Sequence, residues 1–112
     1  MTTPLTLNLP QGSVRFSFSS EAALTLKASL DELMATLKAA AAQSGEPGRR
    51  PPQQSMEYRH TGEVFLEVFC NPNIWPSPFA AKVLLTLRDD RIRVTTEAEL
   101  SQIYEDVAAY LA

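Results

Sequence analysis

Cys70 and His60 are the only cysteine and the only histidine in the 112 residues, and a thiol beside an imidazole base is the first chemistry the chain offers. Spacing argues against the pair. If Thr61 and Gly62 form a tight turn, His60 stands at the turn and Cys70 lies far along the returning strand, roughly 23 Å away at ~3.3 Å per residue. A half-exposed strand histidine and a small buried hydrophobe are the simpler roles. One Cys and one His also fall short of a closed zinc site, which takes three or four ligands. Asp89 and Asp90 suit a hairpin turn better than a cation. Glu57 and Glu67 share the odd-numbered face of their strands with Arg59, and a face carrying both signs is expected to be solvated and paired across strands rather than to do acid–base work. The glycines Gly12, Gly45, Gly48 and Gly62 are scattered, so no phosphate cradle forms. No catalytic residue, cofactor or metal site is expected.

Composition narrows the partners. Net charge is −3 and the basic residues are spread along the chain, which leaves no stripe for nucleic acid or an anionic membrane. The start, Met1 to Pro4, lacks the basic head and apolar run of a secretory signal. The apolar runs near Val83 to Leu85 and over alanines 39 to 42 are far below the ~20 residues that cross a bilayer. A lone cysteine fits a reducing cytoplasm. The expectation is one cytoplasmic domain over residues 1–112, burying roughly two-thirds of its unfolded surface, with no nucleic-acid partner and no membrane insertion.

Periodicity supplies the elements. Leu5, Leu7 and Leu9, then Val14, Phe16 and Phe18, alternate about a Pro10–Ser13 turn and predict a hairpin with one apolar face. Ser19 or Ser20 caps a helix whose Ala23, Leu26, Leu30, Leu33 and Leu37 form a stripe expected to lie on that face. Residues 44–55 hold three prolines and no large apolar side chain, a composition that predicts a mobile linker. Arg49, Arg50, Pro51 and Pro52 within it have polyproline-docking character that linker composition also explains. Met56, Tyr58 and His60 alternate, and Val64 to Cys70 resumes, giving either a hairpin turned at Thr61 and Gly62 or one strand bulged at Gly62. Asn71 to Pro78 is a loop, Lys82 to Arg88 a strand, and Ile92 with Val94 its return. Thr96 and Glu99 read as a capping box for a last helix with Leu100, Ile103, Val107 and Tyr110 or Leu111 inside. The fold class is therefore α+β, an antiparallel sheet of four to six strands with two helices on one face, in the order β-β-α-β-β-β-β-α.

Two segments nearly repeat: Arg15 to Leu24 is echoed by Arg91 to Leu100. Each reads as a strand running through two hydroxyl residues into a capped helix. The ending RIRVTTEAELSQIYEDVAAYLA resembles the C-terminal strand and helix of a family of small uncharacterised proteins of cyanobacteria. That resemblance covers only this strand and helix, implies a cytoplasmic or thylakoid-peripheral setting, and carries no functional residues.

Apolar surplus points to binding. If Val64, Leu66, Val68 and Cys70 face the helices, Phe65 and Phe69 point away, as does Leu84 opposite to Val83, Leu85 and Leu87. An exposed apolar patch of that kind marks an interaction site, unless the loop bearing Trp75 and Phe79 folds over it, or two copies meet there. Trp75, set between prolines, is either a pre-organised anchor or a plug. The sequence thus predicts a non-catalytic protein-binding or assembly-assisting module. Its partner is another protein or a second copy, and its contact surface is Trp75, Phe79, Phe65, Phe69 and Ile74. The alternative is a small-molecule binder or enzyme with a pocket between the sheet and the 71–78 loop, using Tyr58, His60 and Glu67.

Overall fold

A computed structural model describes residues 3–44 and 52–112. The first alternation forms β1 (Thr3–Leu9) and β2 (Gly12–Phe18), antiparallel, with Leu9 opposite Gly12 across a two-residue Pro10–Gln11 turn. Helix α1 (Ser20–Ser44) follows. Its cap is the predicted one: the Ser19 hydroxyl oxygen accepts the Ala22 N–H at 3.2 Å, satisfying one orphan donor of the first turn. Ala23, Leu26, Leu30, Leu33 and Leu37 are all buried, each large side chain contributing about 1.5–3 kcal/mol of hydrophobic stabilisation.

The next strands are β3 (Met56–His60), β4 (Phe65–Cys70), β5 (Lys82–Arg88) and β6 (Arg93–Glu99). They pair in chain order into one antiparallel sheet, separate from the β1–β2 ribbon. Helix α2 (Leu100–Leu111) leaves β6 without a loop. The architecture is α+β in the predicted order, its six strands divided between two antiparallel sheets. Because β3 and β4 pair antiparallel, the single bulged strand is ruled out. The predicted 44–55 linker falls mostly outside the described residues, as do Arg49, Arg50 and Pro51. Of its remainder, Ser44 ends α1, and Gln53 is tied to Asn73 by its N–H at 2.7 Å and its carbonyl at 2.8 Å.

One side of the four-stranded sheet carries the core: Tyr58, Leu66, Val68, Cys70, Val83, Leu85, Leu87 and Ala98 are buried there beneath the helices and the ribbon. The helix that runs along β1 is α2 rather than α1, while α1 packs on α2 and β3. The reason is polar. Asp106 on α2 accepts the Asn8 backbone N–H at 2.7 Å and its side-chain amide at 2.9 Å, and the Tyr110 hydroxyl donates to the Thr3 carbonyl at 2.7 Å. The Asp106 bond to the Asn8 N–H covers the outer edge of β1 at that residue, which would otherwise present an unpaired donor. The two helices are clasped by the Tyr104 hydroxyl, 2.6 Å from Asp31, whose other oxygen lies 3.2 Å from Lys27. These two partners, Tyr104 first, hold the Asp31 carboxyl below its ordinary range.

The second half of the sequence echo folds differently. Ser20 and Glu21 are helical, whereas the matching Thr96 and Glu97 remain in β6. Four more β5 residues are available to pair, with Leu85, Leu84, Val83 and Lys82 facing Thr96, Glu97, Ala98 and Glu99, and a β-branched threonine favours continuing the ladder. The predicted capping box is therefore absent. Glu99 is the cap residue without a side-chain cap bond, and the Leu100 N–H is satisfied from elsewhere in the fold, by the Ala81 carbonyl at 3.1 Å.

Candidate functional site: the open face of the sheet

Strand pairing puts the odd residues of β3, β4 and β6 and the even residues of β5 on the face away from the core, because side chains alternate across a sheet. The register arranges them in rows. Phe65, Arg88 and Arg93 make one; Arg59, Glu67, Thr86 and Thr95 the next; Glu57, Phe69, Leu84 and Glu97 a third. Phe65 and Phe69 are half-buried and Leu84 is 42% exposed. The sequence placed these three side chains on one face; the structure makes Phe69 and Leu84 direct neighbours and sets Phe65 two rows away, beyond Glu67 and Thr86.

Charge frames the apolar residues. The Arg88 guanidinium lies 4.4 Å over the Phe65 ring, a cation–π stack that uses the ring face. Arg59 Nε is 2.7 Å from Glu67 Oε2, with Glu57 at 3.9 Å. Thr86 is only 6% exposed on this side. The row order also leaves opposite charge at opposite ends, Arg88 and Arg93 against Glu57 and Glu97. Glu57 and Glu67 both meet Arg59.

Of the other predicted contact residues, Trp75 separates from this patch. Trp75 is half-buried and packs against the main core, and the 3₁₀ turn before it, Pro72–Ile74, lies beside α1. Asn71 closes that turn by accepting the Asn73 N–H at 3.0 Å, with Pro72 buried. The turn thus directs the indole inward, on the side of the sheet opposite to Phe65 and Phe69. Ile74 is exposed, and Phe79 is 83% exposed just before β5.

The chemistry candidates stay apart. His60 pairs with Leu66 and Cys70 with Met56, so the two lie four strand positions apart, about 13 Å. This is shorter than the tight-turn estimate because residues 61–64 form a wider connection. His60 packs edge-on to Phe18, centroids 5.2 Å apart, and burial pushes the Cys70 thiol up to about 11, leaving no thiolate near neutrality. Tyr58 is buried, donating to the Ala22 carbonyl at 3.1 Å, and burial pushes its hydroxyl up to about 12. Tyr58 and His60 are on the core side and Glu67 is on the open side, so the three do not converge on one side of the sheet. A cleft of about 400 Å³ between α1 and Gln53–Glu57 is lined by Ser29, Glu32 and Thr36 among others. Among the described residues no cluster of His, Cys, Asp and Glu could hold a metal, and no helix is long and apolar enough to cross a membrane.

Sequence reasoning did not anticipate the stacking of Arg88 on Phe65, since only the β4–β5 register makes them neighbours. Comparison with known protein families, with curated proteins and with solved structures finds no match to this chain.

Proposed function

We propose that the protein is a non-catalytic protein-binding or assembly-assisting module whose contact surface is the open face of the four-stranded sheet. One observation carries the reading: Phe69 and Leu84 pair directly across β4 and β5, with Phe65 two rows along the same face, and both helices and the ribbon are stacked on the opposite side of the sheet. Flat apolar surface framed by paired charge suits a protein surface, a second copy included, better than a small ligand, which needs a concave site. The split of arginines and glutamates between the two ends fixes the orientation of whatever docks there.

A photo-crosslinking residue in place of Leu84, with one in place of Leu24 on α1 as control, tests this in extract of the native host. Leu24 is 59% exposed, so both probes meet solvent. A protein adduct, with itself or another chain, is expected from position 84 and not from 24. Equal labelling from both, or none, overturns the reading.

A further inference from the structure

The β1–β2 ribbon crosses one end of the large sheet. Ser13 lies near Thr96 of β6, Phe16 near Leu87 of β5, and Phe18 against His60 of β3. Its outer strand is β2, and in a two-residue hairpin the closing pair Leu9 and Gly12 is hydrogen-bonded. Backbone groups of Asn8 and Ser13, the next pair out, therefore point away from the partner strand. Asn8 bears this out, since its N–H goes to Asp106. On β2 the same rule turns the backbone N–H and C=O of Ser13, Arg15 and Ser17 outward. Among the described residues they meet no partner. On β1 the outward N–H of Asn8 is taken up by α2; on β2 none of the three outward residues is.

Beneath this edge runs an apolar groove of about 230 Å³, walled by Val14, Phe16, Val64, Leu87, Ile92 and Val94. Roughly 150 Å³ holds a benzene-sized group, so an apolar side chain fits. Ile92 is 65% exposed at the lip. Arg15 and Arg88 flank the groove, while the one carboxylate there, Asp89, is turned into its own loop and accepts the Arg91 and Ile92 N–H groups at 2.8 and 2.9 Å. Charge at this end of an otherwise acidic chain is positive.

We propose that β2 is a strand-addition site for an extended acidic peptide, which pairs its backbone with Ser13, Arg15 and Ser17 while apolar side chains enter the groove and carboxylates meet Arg15. Main-chain bonds supply affinity and the alternating side chains supply selectivity, the physics of sheet-edge recognition. A second copy does not suit the edge. Two β2 strands paired antiparallel about their centres set Arg15 opposite Arg15, and like charges directly across a ladder destabilise it. The site is distinct from the open face and stands without it.

The probes are short synthetic peptides in which valine alternates with glutamate, lysine or serine, with binding read by fluorescence anisotropy and residue-resolved amide exchange. The glutamate series is expected to bind more tightly than the lysine series by about tenfold or more, the effect of exchanging one charge repulsion at Arg15 for one attraction. It is also expected to slow exchange at Ser13, Arg15 and Ser17, which exchange fast in the free protein. Arg15→Glu should invert the preference, and Arg15→Ser should level it, with the core amides unchanged in both variants. Backbone N-methylation at alternate positions of the bound peptide should abolish binding. Failure of all three series to bind overturns the proposal and leaves Arg15 as a charge guarding the edge against aggregation. So does binding that leaves those three amides unprotected, or that tolerates N-methylation.

Discussion

Replacing Trp75 by alanine separates a structural plug from a docking anchor. A fully buried tryptophan costs about 3–5 kcal/mol when truncated to alanine. Trp75 is half-buried against the core, so about half of that, ~2 kcal/mol, is expected. With an unfolding entropy of ~2.1 cal/mol/K per residue, the 112-residue chain should lose about 8 °C in Tm by differential scanning calorimetry. Phe79→Ala is the internal control. Its ring is 83% exposed, and a Tm within about 1 °C of wild type is expected. A Trp75→Ala variant that melts with wild type would refute the packing argument and return the indole to the role of anchor. A comparable fall in both variants would refute it too, by showing that burial does not set the cost.

Three further outcomes follow from the core and its edges. Burial holds the Cys70 thiol and Tyr58 hydroxyl protonated to about 11 and about 12, against ordinary values of 9.0 and 10.0. The unfolded chain releases those protons first, so stability is full below about pH 9 and declines as pH climbs to about 12, which urea midpoints measured across that range will register. A flat profile contradicts the burial. Cys70 should resist a thiol reagent at neutral pH in the native protein and react at once in denaturant. Asp106→Ala removes an acceptor serving Asn8 twice and Gln102 at 3.0 Å. At this exposed site a loss of about 1–2 kcal/mol is expected, along with faster amide exchange at Asn8. An Asn8 amide as protected as before would show that α2 does not cover the β1 edge.

Much of the fold was legible because its signals are local. Alternation in Leu5 to Phe18 and Lys82 to Val94, the three- and four-residue steps of α1, and the serines before it each fix an element through near neighbours in the chain. The split of Phe65 and Phe69 from Leu66 and Val68 followed from the same period. Reading failed where a distant partner decided. Thr95 and Thr96 look like the capping serines of α1, but β5 extends alongside them and keeps them in the ladder, and Ala81 then supplies the helix start with an acceptor. Trp75 looks like part of one aromatic surface with Phe65, but a turn buttressed by Asn71 and buried Pro72 directs it to the other side.

By itself the sequence determined the type and order of the elements, and which side of each is apolar, because both depend on side-chain periodicity within a few residues. Tertiary structure alone decided that the N-terminal hairpin stands apart as its own ribbon, that α2 covers the edge of β1 at Asn8, and that the edge of β2 and one sheet face are left open. Those outcomes depend on hydrogen bonds and packing between residues as distant as Asn8 and Asp106, and no local pattern encodes which backbone edge finds a partner.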